Sequence, residues 1–127
     1  MNTQLAQVSA EQAAKLKSLG FYWKTNSYFW DCSEDSSGAL IIDEERDECN
    51  WNVNEEYYSA PTLALAAQWL REKGFHVHVE VCPDFIKWYP RVTEEGMGYE
   101  KFAYHGDHDA ALSFSITFVL TVLKERA

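Results

Sequence analysis

The chain has 127 residues, 46% of them hydrophobic, 15% aromatic and 24% charged, with a formal net charge of −9. That length and apolar content suit a single domain with a core of its own and exclude intrinsic disorder. The longest apolar run, Ala110 to Leu123, is interrupted by Ser113, Ser115, Thr117 and Thr121 and falls short of the ~18 residues a membrane span needs, and no basic–apolar–small-residue leader is visible.

The charge is unevenly placed. Residues 1–60 carry 11 acids and 4 bases, a net of −7, whereas residues 61–127 carry 9 and 7, a net of −2. Affinity for nucleic acid and for anionic lipid both come from Lys and Arg, so neither a nucleic acid nor a membrane is an expected partner. The three cysteines, Cys32, Cys49 and Cys82, are odd in number and lack a C-x-x-C spacing. They read as reduced thiols in a cytoplasm, with a single Cys32–Cys49 bridge as the alternative.

In chain order, Ser9-Ala-Glu-Gln12 is a capping box, in which a hydroxyl and an amide satisfy the free donors of a helix start. Leu16 and Leu19 share a face and Gly20 supplies a left-handed stop, which predicts a helix over residues 9–19. Phe21-Tyr22-Trp23 and Tyr28-Phe29-Trp30 flank a polar turn and read as two short strands. Ser36-Ser-Gly38 is a turn signal before another strand, Ala39 to Ile42, and Asp43 to Glu48 is a solvated charge run. Nine of the nineteen aromatic residues fall between 21 and 58; so many rings need cover, which a face of the second half is expected to give them.

The second half is more regular. Ser59-Ala-Pro-Thr62 reads as a helix start with a hydroxyl cap and an early proline. Leu63, Ala66, Ala67 and Leu70 then form an apolar stripe, and Gly74 ends the helix. Phe75-His-Val-His-Val-Glu-Val-Cys82 alternates without a fault, the pattern of a half-buried strand. Residues 85–92 form a second strand, with Pro90 placing it at an edge or a bulge. A loop at Glu94 to Gly98 leads to a third strand over 99–105, and Asp107 or Asp109 caps a final helix that runs to about Glu125. In that helix Leu112, Ile116, Val119, Leu120 and Leu123 make one stripe, while Phe114, Phe118 and Val122 fall on a second arc. A helix with two apolar arcs has to be covered twice, by the aromatic half of the chain or by another protomer. Phe114, Phe118 and Val122 are thus the candidate homodimer face.

These elements predict an α+β fold in one domain, residues 1–127. An N-terminal helix and an aromatic-rich short-strand region (1–58) precede an α-β-β-β-α core (59–127). In that core both helices pack on one face of an antiparallel three-stranded meander, an order similar to that of double-stranded-RNA-binding domains. Such a domain presents lysines at the start of its last helix, where this chain has Gly106-Asp-His-Asp109.

The segment Tyr58-Ser-Ala-Pro-Thr-Leu-Ala-Leu-Ala-Ala-Gln-Trp-Leu-Arg-Glu-Lys-Gly-Phe-His-Val-His-Val81 resembles small proteins carried by phages and mobile elements of gut bacteria. They share an APTLxLAxxWLRE helix followed by a His-Val or His-Ile strand, and residues 14–21 look like their opening helix. The resemblance covers about a third of the chain and implies a fold and a genomic setting, with no catalytic residues to carry over.

Several constellations carry chemistry. Alternation puts His76, His78, Glu80 and Cys82 on one strand face, and His105 on the third strand is a candidate third imidazole, so that His76, His78 and His105 are the candidate metal ligands. His105-Gly-Asp-His108-Asp109 is a metal site, an acid–base pair or a turn with a helix cap, and capping is the commoner use of such aspartates. No nucleophile loop surrounds Cys32 or Cys82, and no phosphate-binding glycine loop occurs. Lys87, Tyr89, Arg91, Tyr99 and Lys101 interleave bases with aromatics on the open sheet face, a candidate binding surface for a peptide or protein. The sequence therefore favours a small acidic accessory protein that works by binding another protein, without a cofactor. The alternatives are a metal- or thiol-dependent enzyme on the histidine face, and an acidic antagonist such as an immunity protein or nucleic-acid mimic.

Overall fold

Backbone hydrogen bonding in this computed structural model is described for residues 6–30, 39–42, 48–82, 87–95, 98–103 and 105–126. Cys32, the Ser36–Gly38 turn and most of the acidic run, residues 43–47, lie outside them. The fold is α+β, with three α-helices and two small antiparallel sheets among the described residues. The chain divides into two compact units, Met1–Thr62 and Leu63–Ala127, each with its own three-stranded sheet.

The first unit opens with α1 (Ala10–Ser18), entered through the expected capping box. The Ser9 hydroxyl accepts from the Gln12 amide at 3.1 Å, and the Gln12 side chain accepts from the Ser9 N–H at 2.9 Å. Gly20 takes φ +90° just past the helix, the left-handed conformation that a side chain would strain. Strands β1 (Ser27–Trp30), β2 (Ala39–Ile42) and β3 (Tyr57–Ser59) form a sheet in the order β2-β1-β3.

Residues 21–24 do not form the strand that their aromatic content suggested. The Phe21 N–H bonds back to the Leu16 carbonyl at the helix end, and the Phe21 carbonyl accepts from the Asn52 side chain at 2.9 Å. Phe21 is thus engaged by the helix end and by Asn52, and β1 pairs instead with β2 and β3. Ser59 differs too: it closes β3, and its buried hydroxyl accepts from the Trp51 N–H at 3.1 Å, so it does not cap α2.

Alternation along β1 sorts the rings to two sides. Tyr28, with Tyr57 of β3, meets Trp51, which lies in a short 3-10 turn over Trp51–Val53. Tyr28 and Trp51 stack with centroids 4.1 Å apart, and Tyr57 stands edge-on to both. Phe29 is buried on the other side, where Tyr58 lies under the Lys17 ammonium at 4.3 Å. Tyr28, Trp51 and Tyr57 thus cover one another within their own unit. Lys17 also donates to the carbonyls of Asn54 (2.6 Å), Glu55 (3.3 Å) and Tyr57 (2.7 Å), which latches α1 to the turn before β3.

The second unit contains α2 (Leu63–Glu72), β4 (Phe75–Cys82), β5 (Lys87–Glu94), β6 (Gly98–Lys101) and α3 (His108–Arg126). The sheet order is β4-β5-β6 with antiparallel pairing throughout. Helices α2 and α3 pack on each other and on β4, and α3 also packs on β5. Leu63, Ala66, Trp69 and Leu70 from α2, Phe75, Val77 and Val92 from the sheet, and Ala111, Ile116, Val119 and Leu120 from α3 are buried. The alternation of β4 fades toward its end: Val81 is 49% exposed although it shares the side of Phe75 and Val77.

Pro90 is fully buried in the central strand, not at an edge. The bulge that accompanies it lies on the facing chain. Lys101 pairs with Arg91, and the Phe102 N–H bonds the Pro90 carbonyl at 3.0 Å, but the next pair is His105 with Trp88. Between Phe102 and His105 the register advances by one residue, the offset of a β-bulge opposite Tyr89. Regular pairing ends where proline has no N–H to give.

The Asn52 amide ties two segments, accepting from the N–H of buried Ser59 at 2.8 Å while donating to Phe21. Asn52→Ala strands both groups and is expected to cost about 1–3 kcal/mol, the penalty for unsatisfied buried polar groups. Urea denaturation of the whole chain measures it, with Asn54→Ala, at an exposed position, as the mild comparison.

Candidate functional site

Strand pairing in the second unit separates two chemistries by sheet face. Phe75, Val77, Val79 and Val81 of β4 are opposite Glu94, Val92, Pro90 and Trp88 of β5, on the helix side. His76, His78, Glu80 and Cys82 are opposite Thr93, Arg91, Tyr89 and Lys87, on the outer side. Lys101 and Tyr99 occupy the β6 register positions facing Arg91 and Thr93. Three of the expected binding residues, Lys87, Tyr89 and Arg91, thus share a face with His76 and His78, and Tyr99 and Lys101 pair with that row.

The outer face is internally organised. The Arg91 guanidinium pairs with the Glu80 carboxylate, diagonal to it across β4 and β5, each side chain being about one-third exposed. The rings of His76 and His78 lie parallel, 8° apart in plane, with centroids separated by 6.4 Å. His76 Nε2 lies 3.3 Å from a Glu95 carboxylate oxygen. Lys87, Tyr89 and Cys82 are half-buried and His78 is exposed.

His105 does not join this group. On an unbulged third strand it would share the side of Tyr99 and Lys101, but a one-residue slip inverts every later side chain. The bulge opposite Tyr89 makes that slip, and His105 emerges opposite Trp88 on the helix side, its ring 5.4 Å from Phe114 of α3. It also pairs five residues along β5 from the Thr93 that faces His76, about 17 Å at ~3.4 Å per residue. The three-histidine metal site is therefore not assembled. Among the described residues no group of three or more His, Cys, Asp or Glu side chains is placed to hold a metal ion. Cys82 follows His78 by four strand positions, about 13 Å, so the two do not form a thiol–imidazole pair.

The His105–Asp109 segment behaves as a turn and helix start. The Asp107 carboxylate accepts from the Ala110 N–H at 3.3 Å, which makes Asp107 the cap of α3. His108 stands edge-on to Trp88 with centroids 5.2 Å apart, and its Nδ1 lies 3.2 Å from exposed Asp109. The same bulge region covers part of the second arc of α3. Phe102 packs its ring 5.1 Å from Phe114 and 4.8 Å from Phe118. Phe114 keeps 40% exposure, while Phe118 and Val122 are half-buried. Sequence reasoning missed Phe102 as this cover, although alternation with Tyr99 and Lys101 puts it on the helix side, opposite Pro90. It also missed Ser115, fully buried between the two arcs and bonded at 3.3 Å to the Ala111 carbonyl.

At the other end of the sheet a hollow of about 480 Å³ is lined by Lys73, Phe75, Glu94, Leu123 and Arg126 among others. Arg126 grips Glu94 through both guanidinium nitrogens and lies over the Phe75 ring at 5.6 Å. With Arg126 engaged by Glu94, and Lys73 matched by Glu95 in the same lining, the hollow does not present an unbalanced charge to a ligand. No described helix is long and apolar enough to cross a membrane.

The chain matches no family model, no curated protein and no solved structure in the three comparisons made.

The Arg126 hydrogen bond holds the Glu94 carboxyl below its ordinary value. A carboxyl depressed by folding contributes stability above its unfolded pKa, and that contribution fades as pH falls through the folded value. Thermal unfolding of Glu94→Gln, compared with the wild-type chain, is expected to be modestly lower at neutral pH. The difference should shrink on acidification below about pH 4.5; a difference that grows on acidification contradicts the pairing.

Proposed function

We propose that the chain is a small acidic accessory protein that acts by binding another protein through the outer face of β4, β5 and β6. The setting is the one its Tyr58–Val81 segment implies, a phage or mobile element in a bacterial cytoplasm. The observation that carries the reading is the strand register. It gathers Lys87, Tyr89, Arg91, His76 and His78 on the side away from α2 and α3, in line with the positions of Tyr99 and Lys101.

That row reverses the sign of the chain. Against a net of −9, the outer register positions hold Lys87, Arg91 and Lys101, with Glu80 and, beside His76, Glu95 as the opposing acids. Arginine and tyrosine are the residue types that anchor protein interfaces, and a local patch of one sign steers a partner of the other. The partner that fits offers carboxylates beside apolar or aromatic groups.

The finer fold reading belongs to the same proposal: an α-β-β-β-α core in the order of double-stranded-RNA-binding domains, turned to a different use. Its support is the succession α2, β4, β5, β6, α3 with antiparallel neighbours. A shared order does not carry function with it, and Asp107 and Asp109 at the start of α3 repel the phosphates that such a domain grips.

The test is affinity capture by the whole chain from its host, followed by direct binding to the recovered protein. Lys87→Glu combined with Tyr89→Ala is expected to weaken that binding at least tenfold, whereas Lys124→Glu on α3 leaves it unchanged. Equal binding by the sheet-face variant overturns the reading. If neutralising Asp43, Glu44, Glu45, Asp47 and Glu48 abolishes binding while the sheet-face variant binds normally, the acidic-antagonist function replaces it.

A further inference from the structure

The outer sheet face holds a second feature, in the two histidines of the same row, and its test does not depend on the protein-binding reading. We propose that His76 and His78 chelate one divalent ion of the imidazole-preferring class, exemplified by Zn²⁺, with Glu95 orienting His76 as its hydrogen-bond partner.

The geometry begins with the strand. Residues two apart on pleated chain project to the same side, about 6.8 Å apart along it, and the two rings keep that spacing, parallel to within 8° and 6.4 Å between centroids. Metal–nitrogen bonds of about 2.0–2.1 Å require the two donor nitrogens to close to roughly 3–3.5 Å. His78 is exposed, and the His76 side chain is 32% exposed, so rotation about their side-chain torsions brings the rings together without moving the strand. Thr93, the register partner of His76, is uncharged and small.

Glu95 supplies the second element. Its carboxylate lies 3.3 Å from His76 Nε2, and donation of the Nε2–H to it leaves the Nδ1 lone pair to the ion. This is the carboxylate–histidine–metal arrangement that fixes the tautomer of a ligating imidazole and raises its basicity.

The surrounding charge allows a cation. Arg91, opposite His78, is paired with Glu80, Glu95 adds a negative charge beside His76, and Lys101 holds a register position one strand beyond Arg91. Lys87 pairs with Cys82, four strand positions beyond His78. Two imidazoles with water in the remaining positions make an exchangeable site, unlike the closed four-ligand sites that hold folds together. Imidazole donors select Zn²⁺, Cu²⁺ or Ni²⁺ over the hard ions Ca²⁺ and Mg²⁺.

Titration of the whole chain with Zn²⁺, followed calorimetrically and by the histidine ring signals in NMR, tests the proposal. One equivalent is expected to bind and to shift the His76 and His78 signals, leaving those of His105 and His108 in place. His76→Ala and His78→Ala should each lower affinity at least tenfold. Glu95→Gln should lower it about tenfold, in the range seen when such orienting partners are removed, and His105→Ala should leave it unchanged. Thermal unfolding of the metal-free variants checks that each remains folded, with His78→Gln as the milder replacement. Unmoved His76 and His78 signals, unaltered affinity in their variants, or binding lost in Cys82→Ser with both histidines intact would each overturn the assignment.

Discussion

The arrangement of the second unit depends on one missing hydrogen-bond donor, that of Pro90 in the middle of the central strand. A proline there can pair through its carbonyl alone, and it does, accepting from Phe102. Beyond that bond the returning chain gains a residue before it rejoins β5 at Trp88. The resulting bulge has two consequences for the surfaces of the molecule. It carries His105 to the helix side, and it sets the His105 ring against Phe114, beside Phe102, which regular alternation already turns toward Phe114 and Phe118. One backbone defect thus divides the histidines between two faces and partly covers a helix whose apolar arc is too wide for the sheet alone.

The two sheet faces then have different economies. On the helix side, burial dominates: Phe75, Val77 and Val92 meet α2 and α3, and Pro90 and Ile116 are closed off from water. On the outer side, polar groups are paired with one another, Arg91 with Glu80 and His76 with Glu95. Exposed pairs of this kind contribute on the order of 0–1 kcal/mol each, so their value lies in orientation more than in stability. An oriented basic and aromatic row is what a binding surface needs, and an oriented imidazole is what a metal ligand needs.

The Met1–Thr62 unit meets the same demand for satisfied polar groups by other means. Its strands are three or four residues long, and side chains do the joining that longer ladders do elsewhere. Lys17 caps three carbonyls, Asn52 spans Phe21 and Ser59, and the Trp51 indole donates to Thr25 at 2.8 Å. Buried backbone groups must be paired somewhere, and here the aromatic stack of Tyr28, Trp51 and Tyr57 is built around those bonds.

Local signals settled a good part of this protein in advance. The Ser9–Gln12 box and Gly20 delimit α1, the unbroken alternation from Phe75 to Cys82 defines β4 and its two faces, and an aspartate at 107 or 109 starts α3, because each of these effects acts within a few residues. The outer row of Lys87, Tyr89 and Arg91 was legible for the same reason: period-2 alternation is a property of the strand itself. What the sequence could not decide was everything that depends on a partner distant along the chain. Ser59 has the composition of a helix cap and serves as an acceptor for Trp51; Phe21 to Trp23 look like a strand, but Phe21 bonds to a helix end and an asparagine. His105 shares the polar parity of the third strand until a proline fifteen residues earlier shifts the register by one. Parity is local while register is not, and so the chain spelled out which residues alternate, but only the folded sheet determined which of them meet.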